Sequence, residues 1–132
     1  MKIKSFEDLE IWQMALSITK YIYDFTSKKD FQKDFELKGQ IRRAVISVSS
    51  CIVEGFEKNN NNEFIRFLKI AKGSCGEIRN QLFIALSVKY INQEEFDKVS
   101  KMLLIESAKI GAFISYLEKQ RIQGNFIKRK TR

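Results

Sequence analysis

The chain has 132 residues and contains no proline and only 6 glycines. Proline and glycine interrupt helices and form most of the tight turns that join short strands. A chain so poor in both residues favours long uninterrupted helices over β-hairpins. With 44% hydrophobic residues and a length close to the commonest for one domain, it can also bury a continuous core. We therefore predict a single all-α domain.

The first predicted helix opens at Ser5, whose hydroxyl can cap the first turn, and runs to about Ser27. Two apolar stripes follow it, so the helix is apolar over more than one face. One stripe comprises Leu9, Trp12, Leu16, Thr19 and Tyr23, and the other comprises Ile11, Met14, Ile18, Ile22 and Phe25. One stripe can fill a bundle core, and we expect the other to need a further partner.

Three more helices follow at the same three- and four-residue spacing of apolar side chains. The second runs from its cap, Asp34, to Gly55, which we expect to adopt the left-handed conformation that closes a helix. The third follows the four asparagines at 59–62, and the fourth begins near Gln93. Four such helices joined by short connections predict an antiparallel, up-down-up-down four-helix bundle.

The net charge of +8 is concentrated at the C-terminus. Residues 118–132 carry six basic side chains and one acidic, a local +5, and the other 117 residues carry 18 basic and 15 acidic, or +3. We divide the chain into a bundle domain, 1–123, and a basic tail, 124–132. The tail cations are Lys128, Arg129, Lys130 and Arg132. Such a tail suits phosphate contact or simple solubilisation, and the sequence leaves both open.

The chain contains no histidine, the commonest general base and metal ligand. No glycine-rich phosphate loop follows a strand, and the serines lack a neighbouring base. We therefore predict no metal, no cofactor and no enzymatic activity. An N-terminus without an apolar signal segment, and the lack of any run long enough to cross a bilayer, predict a cytoplasmic protein with no membrane partner.

Polar residues occupy positions on or beside the seam between the second and third helices. They are Gln40, Arg43, Ser47, Glu54, Ser74 and Glu77. If the turn is centred near Asn59, residue i faces residue 118 minus i, and Glu77 can then reach Arg42 or Arg43 to form an ion pair that fixes the register.

The same register places Cys51 opposite Phe67, roughly 12 Å along the axis from Cys75, which is too far for a disulfide. Gly73 and Gly76 each lower helix stability by about 1 kcal/mol relative to alanine. Two in one turn predict the close approach of a neighbouring helix.

Six cations of the second and third helices are candidates for binding phosphate. They are Arg42, Arg43, Arg66, Lys69, Lys72 and Arg79. Cations gathered on one surface attract nucleic acid, and such binding weakens steeply with salt. Aromatic residues that could stack on bases are not interleaved with them, so the pattern gives no support to sequence-specific reading of RNA.

Three groups of residues together resemble one known family. The first group is Phe6, Leu9, Trp12, Gln13 and Ala15. The second is Ser47, Cys51, Ile52, Val53, Glu54 and Gly55, where the family typically reads Ser-x-x-x-Asn-Ile-Ala-Glu-Gly. The third is Gly73, Ser74 and Glu77, where it reads Gly-Ser-x-x-Glu. In this combination the chain resembles the four-helix bundle proteins encoded in 23S rRNA intervening sequences, with Cys51 in place of the family's asparagine.

The resemblance implies a bundle that assembles into a homopentameric ring, which would give the second stripe of the first helix and the glycines of the third a partner. Relatives include the accessory protein of diversity-generating retroelements, which works with a reverse transcriptase and RNA. The resemblance implies no established activity. Our leading hypothesis is a non-enzymatic oligomer that binds RNA or DNA through its basic residues. The alternative is a scaffold that binds a protein, such as a reverse transcriptase, and has no nucleic-acid role.

Overall fold

The computed structural model describes residues 3–122 of the chain, with side chains as far as residue 120. A short 3-10 turn precedes five helices, and no strand occurs among these residues. The elements are the turn Phe6–Asp8, α1 Glu10–Thr26, α2 Lys29–Lys33, α3 Phe35–Glu57, α4 Asn61–Ser87 and α5 Gln93–Ile122. The predicted all-α fold is confirmed.

The four long helices pack as an antiparallel bundle in which α1 and α4 each contact both α3 and α5. In each neighbouring pair, residues early in one helix contact residues late in the other. These contacts are Gly55–Phe67 and Ser47–Ser74 between α3 and α4, Phe64–Phe113 and Phe83–Phe96 between α4 and α5, and Glu10–Lys109 and Tyr21–Lys98 between α1 and α5. The order along the chain is therefore up, down, up, down.

Each long helix contributes fully buried aliphatic side chains to one core. Those with no exposed surface include Ile22, Ile41, Ile52, Leu68, Ile78, Leu82, Leu103 and Ile110. Burying a side chain of this size stabilises the fold by about 1.5–3 kcal/mol relative to leaving it exposed. This core accounts for the bundle without any metal or crosslink.

Both apolar stripes of α1 have partners within the chain, apart from Leu16. Trp12 packs edge-on against Phe6, and Tyr23 lies under the guanidinium of Arg42. Leu16 remains 48% exposed. The expectation that a whole second stripe needs another partner is therefore wrong, because the 3-10 turn and α3 cover most of it.

The segment before α3, expected to be a plain connection, forms the short helix α2. Its one apolar residue, Phe31, is buried and stacks on the ring of Tyr90, with centroids 5.1 Å apart. Asp34 then caps α3 by accepting a hydrogen bond from the Leu37 amide, and it also accepts one of 2.9 Å from the Tyr90 hydroxyl. The segment thus ties the start of α3 to the turn between α4 and α5.

Gly55 does not end α3, which continues to Glu57. The left-handed residue of the turn is Asn59, with φ 54°. A Cβ added at Gly55 would lie 2.8 Å from the Cβ of Phe67 and 2.9 Å from the ring of Phe64, so this glycine permits close packing of α3 on α4.

The turn between α3 and α4 is centred on Asn59 as expected, yet the register between these helices differs by about three residues from the predicted one. Ser47 faces Ser74, whereas the predicted register placed it opposite Ala71. Residue i of α3 therefore lies level with residue 121 minus i of α4. Both cysteines are free, Cys75 buried and Cys51 half-buried. None of the described helices is long and apolar enough to cross a membrane.

Candidate nucleic-acid interface

The candidate cations separate into two groups along α4. Arg66, Lys69 and Lys72 lie in its first half, whereas Arg79 is 13 residues beyond Arg66, about 20 Å along the axis. The observed register places Arg42 of α3 level with Arg79. A single surface containing all six cations is therefore not formed.

Arg42 is engaged within the bundle and does not contribute a free cation. Its Nε donates a hydrogen bond of 2.8 Å to Thr26, its Nη2 donates one of 3.2 Å to Ser27, and its Cζ lies 4.2 Å from the centroid of the Tyr23 ring. These contacts pin α3 to the end of α1. Arg42 was predicted to lie on a phosphate-binding surface, but its side chain joins α3 to α1 instead.

The other two cations at that end differ in exposure. Arg43 is exposed, and its guanidinium folds back over Gly39 in the same helix, 3.2 Å from where a Cβ would stand. Arg79 is half-buried, and its Nε is buried without a hydrogen-bond partner among the described residues. Only Arg43 of this group is well placed to meet a phosphate.

The first half of α4 contains a tighter group, which we call the basic corner and define as Lys58, Arg66, Lys69 and Lys72. Lys58, which the sequence analysis did not include, follows α3. The half-buried ring of Phe67 joins two of the four: the Arg66 Cζ lies 4.5 Å from its centroid and the Lys58 Nζ lies 6.0 Å from it. An aromatic ring near two cations holds both at one place on the surface.

Carboxylates accompany two cations of the basic corner. Arg66 donates two hydrogen bonds to Glu63, one turn earlier, and this pairing holds the pKa of Glu63 below its ordinary value. Lys69 lies 4.0 Å from Glu118 of α5. Exposed pairs of this kind stabilise a protein by at most about 1 kcal/mol. A phosphate can therefore compete for both cations.

The C-terminal half of α5 lies beside the basic corner. Besides the Lys69–Glu118 pair, the stem of Lys72 crosses Gly111, where an added Cβ would lie 3.2 Å from the Lys72 Cε. The tail follows the end of α5, so the chain enters it near these cations. Lys128, Arg129, Lys130 and Arg132 themselves lie outside the described residues.

Of the polar residues predicted on the seam between α3 and α4, only Ser47 and Ser74 at its centre contact each other. Ser74 donates a 3.1 Å hydrogen bond to Ser47, whose hydroxyl lies 3.7 Å from the Cys51 sulfur. The four remaining polar residues, Gln40, Arg43, Glu54 and Glu77, are exposed. Glu77 forms no ion pair with Arg42 or Arg43 in the described structure, because Arg42 turns toward α1 and the Arg43 guanidinium folds back over Gly39.

Gly73 and Gly76 lie on the exposed side of α4, and a Cβ at either would meet no atom within 4 Å. The expected approach of another helix does not occur within the chain. Exposed polar side chains, among them Lys69, Lys72 and Glu77, lie beside the two glycines on α4. Exposed apolar side chains also occur along the two helices: Ile70, Phe83 and Ile84 of α4 and Leu104 and Ile105 of α5, with Phe83 at 52% and Leu104 at 51%. We call this set, with the two glycines, the outer face.

Sequence reasoning also missed a buried acid. Glu106 of α5 has no exposed surface, and neither of its carboxyl oxygens has a hydrogen-bond partner among the described residues. Burial raises the pKa of this carboxyl to about 8. The signal was present, because Glu106 stands between the buried Leu103 and Ile110 at the three- and four-residue spacing of the core.

Nothing in the described part of the chain is arranged for metal chemistry. No group of three or more Cys, Asp or Glu side chains is placed to hold a metal ion there. What the surface offers is a cluster of cations at one end of the bundle and an apolar face along α4 and α5.

Known proteins resemble this chain in sequence and in fold. A family model described as 23S rRNA-intervening sequence protein matches residues 7–112. A solved structure from Bacteroides thetaiotaomicron, described as a protein of unknown function from the S23 ribosomal protein family, is similar with a TM-score of 0.73 and 21% identity, covering 80% of this chain and 95% of that one. At this identity the likeness shows the fold. A search among proteins of curated function finds no significant match.

Proposed function

Because the chain belongs to the family of 23S rRNA-intervening sequence proteins, we propose that it is a non-enzymatic homo-oligomer, most simply a pentamer, that binds nucleic acid through the basic corner and the tail. The nucleic acid is structured RNA, although DNA would meet the same cations. We propose that the protein acts in the cytoplasm, together with this partner.

One observation carries the proposal: the basic corner and the last described turns of α5, which precede the tail in the chain, lie at the same end of the bundle. The pair between Lys69 and Glu118 brings the last turns of α5 to this corner, and residues 124–132 add four cations with no acidic side chain. Phosphate binding depends on the number of cations that can contact one backbone together. The basic corner and the tail can therefore bind the same nucleic-acid strand.

The outer face supports assembly. Exposed apolar side chains along two neighbouring helices mark a surface that a partner covers. Gly73 and Gly76 reduce helix stability without serving any contact inside the chain, which is understandable if the backbone of another copy approaches them. Assembly would also bring several basic corners into one particle and thereby raise the avidity for a long nucleic acid.

The test is RNA binding by the full chain across a salt titration, compared with a Lys69→Ala/Lys72→Ala variant and with a chain lacking residues 124–132. We expect weaker binding for both altered proteins. Losing two phosphate contacts should reduce the slope of log K against log salt by about 1.4 for a single strand. The matched control is Lys33→Ala/Lys101→Ala, two exposed lysines outside the corner, which should bind as the unaltered chain does.

A protein scaffold is the second candidate, and the outer face favours it because an apolar surface suits a protein partner as well as another copy. The same titration separates the two functions. An intact oligomer that binds neither RNA nor DNA at low salt would contradict the nucleic-acid proposal and leave the scaffold, with a reverse transcriptase among the partners to examine.

A further inference from the structure

The core of the bundle contains an ionisable group that has no counter-charge or hydrogen-bond partner among the described residues. Glu106 has no exposed surface, and its two carboxyl oxygens have no hydrogen-bond partner among the described residues. An ionised carboxylate in such a place loses its hydration and gains nothing in return, a penalty that proteins normally avoid by keeping the group neutral. The folded bundle therefore accommodates Glu106 as a carboxylic acid.

The elements packed around Glu106 offer it no counter-charge. The contacts between α1 and α5 place Glu106 level with residues 11–15 of α1. The register of α3 places Glu106 near residues 44–48. Neither stretch contains a titratable side chain. From α4 it meets Cys75, whose thiol pKa is raised to about 12 by burial and then by Glu106 itself.

The charged groups on the stretches closest to Glu106 are Lys72, Glu77 and Arg79 of α4, Lys109 of α5 with its partner Glu10 of α1, and the exposed Arg43 of α3. Arg79 is half-buried, and its Nε has no hydrogen-bond partner among the described residues. None of them shifts the pKa of Glu106, for which burial is the cause of the rise. Ionisation therefore requires water to reach the carboxyl, and α5 must then separate from α1 or α4.

We propose that Glu106 is a proton-dependent switch: the bundle packs tightly while this carboxyl is protonated, and the packing of α5 loosens when the carboxyl ionises. The inference concerns the folded chain and does not depend on nucleic-acid binding.

The direction of the pH effect follows from proton linkage. The ordinary pKa of a glutamate is near 4.5 and that of Glu106 in the folded chain is about 8. Between these values the folded chain holds one proton that the unfolded chain has released, so stability falls as the pH rises. The equilibrium constant for unfolding should increase about tenfold per pH unit across this window. Above pH 8 both states are ionised and the dependence should level off.

Few other groups interfere in this window. The sequence has no histidine, so the side chain that normally titrates near neutrality is absent. Three carboxyls with a lowered pKa, Asp8, Asp34 and Glu63, act at acid pH and with the opposite sign. The thiol of Cys75 stays protonated in the folded chain throughout the window, and its own effect on stability begins only near pH 9, where the thiol of the unfolded chain ionises.

The experiment is denaturant unfolding of the full chain from pH 5.5 to 9 at one fixed protein concentration, for the unaltered protein, Glu106→Gln and the exposed control Glu94→Gln. We expect the unaltered chain and the control to lose stability with rising pH up to about 8, and Glu106→Gln to show no such loss. A flat profile for the unaltered chain, or the same slope in Glu106→Gln, would overturn the proposal.

A direct titration covers the case in which Glu106→Gln fails to fold. In the unaltered chain labelled with ¹³C at the glutamate carboxyls, one resonance should titrate near pH 8, well above the ordinary range of a glutamate. If every glutamate carboxyl titrates below pH 6, Glu106 is not buried as a neutral acid and the switch does not exist.

Discussion

Gly55 and the pair Gly73 and Gly76 are the same residue type in two long helices, and their surroundings are opposite. Gly55 lies inside the seam of α3 and α4, where a Cβ would approach the side chains of Phe64 and Phe67 to within 3 Å. Gly73 and Gly76 lie on the outer face, where a Cβ would touch nothing. The fold therefore requires a glycine at position 55, whereas no contact among the described residues requires one at positions 73 and 76.

The comparison teaches how to separate folding from assembly in this bundle. Glycine lowers helix stability wherever it stands, so a helical glycine calls for a compensating contact. Gly55 has that contact within the chain. For Gly73 and Gly76 we propose that another copy supplies it, and substitutions at the two kinds of glycine should therefore have effects of opposite sign on the isolated chain.

Gly55→Ala should give the largest effect, a loss of about 1–3 kcal/mol in the free energy of unfolding, because the new methyl group must displace Phe64 and Phe67 in a packed seam. Urea denaturation measures it. Gly39→Ala is the control, since the methyl group there meets only the mobile end of Arg43. An unchanged or increased free energy of unfolding for Gly55→Ala would show that the packing of α3 on α4 accommodates a methyl group.

Gly73→Ala and Gly76→Ala should each stabilise the dissociated chain by about 1 kcal/mol, because alanine is the better helix former and nothing obstructs its methyl group. The same changes should weaken assembly, since they hold apart any helix that approaches α4. Unfolding at high dilution, together with light scattering at high concentration, measures both effects. A loss of stability at dilution would mean that these glycines already have a contact within the chain.

Ser74→Ala should lower the free energy of unfolding by about 1 kcal/mol, because Ser47 loses its hydrogen-bond partner in the partly buried seam. The double variant Ser47→Ala/Ser74→Ala should lose less free energy of unfolding than the two single variants lose together, because it leaves no unpaired hydroxyl. A double-mutant cycle by urea denaturation measures the coupling. Strict additivity would show that the two hydroxyls do not interact.

Tyr90→Phe should give the smallest effect, visible mainly at acid pH. The Leu37 amide and then the Tyr90 hydroxyl hold the pKa of Asp34 below its ordinary value of 3.8. The stability that this carboxylate contributes is present above that value and is lost as the pH falls through its lower folded pKa. Removing one hydrogen bond should make the melting temperature fall less between pH 5 and 2.5. An unchanged acid profile would contradict this linkage.

The sequence was enough to predict the long helices, their antiparallel order and the presence of Ser47 and Ser74 in the seam of α3 and α4, although not their contact with each other. Apolar spacing and the lack of proline determine these features locally. The end of α3 was mispredicted because Gly55 is a common helix terminator, whereas its use here depends on the rings of Phe64 and Phe67 across the seam. The predicted register assumed that facing residues lie equally far along the chain from Asn59, whereas the contact of Ser47 with Ser74 differs from it by about three residues.

The candidate site was less predictable, because long charged side chains choose partners that only the tertiary structure brings near. Arg42 reads as one more surface cation, but Thr26 and Tyr23 stand within its reach. Glu106 reads as exposed by residue type, and its burial is decided by the face of α5 on which it falls. The basic corner was partly predicted, since Arg66, Lys69 and Lys72 recur every three residues on one side of α4.

The mass of the full chain in solution tests most directly whether the outer face joins copies of the protein. Light scattering should give about 78 kDa for the unaltered chain, five times its 15.5 kDa. Leu104→Lys, which changes the outer face, should give a smaller mass. The control Phe35→Lys changes an exposed side chain that is not part of the outer face, and it should leave the mass unchanged. A 15.5 kDa particle at every concentration, or an assembly that Leu104→Lys leaves intact, would contradict the account.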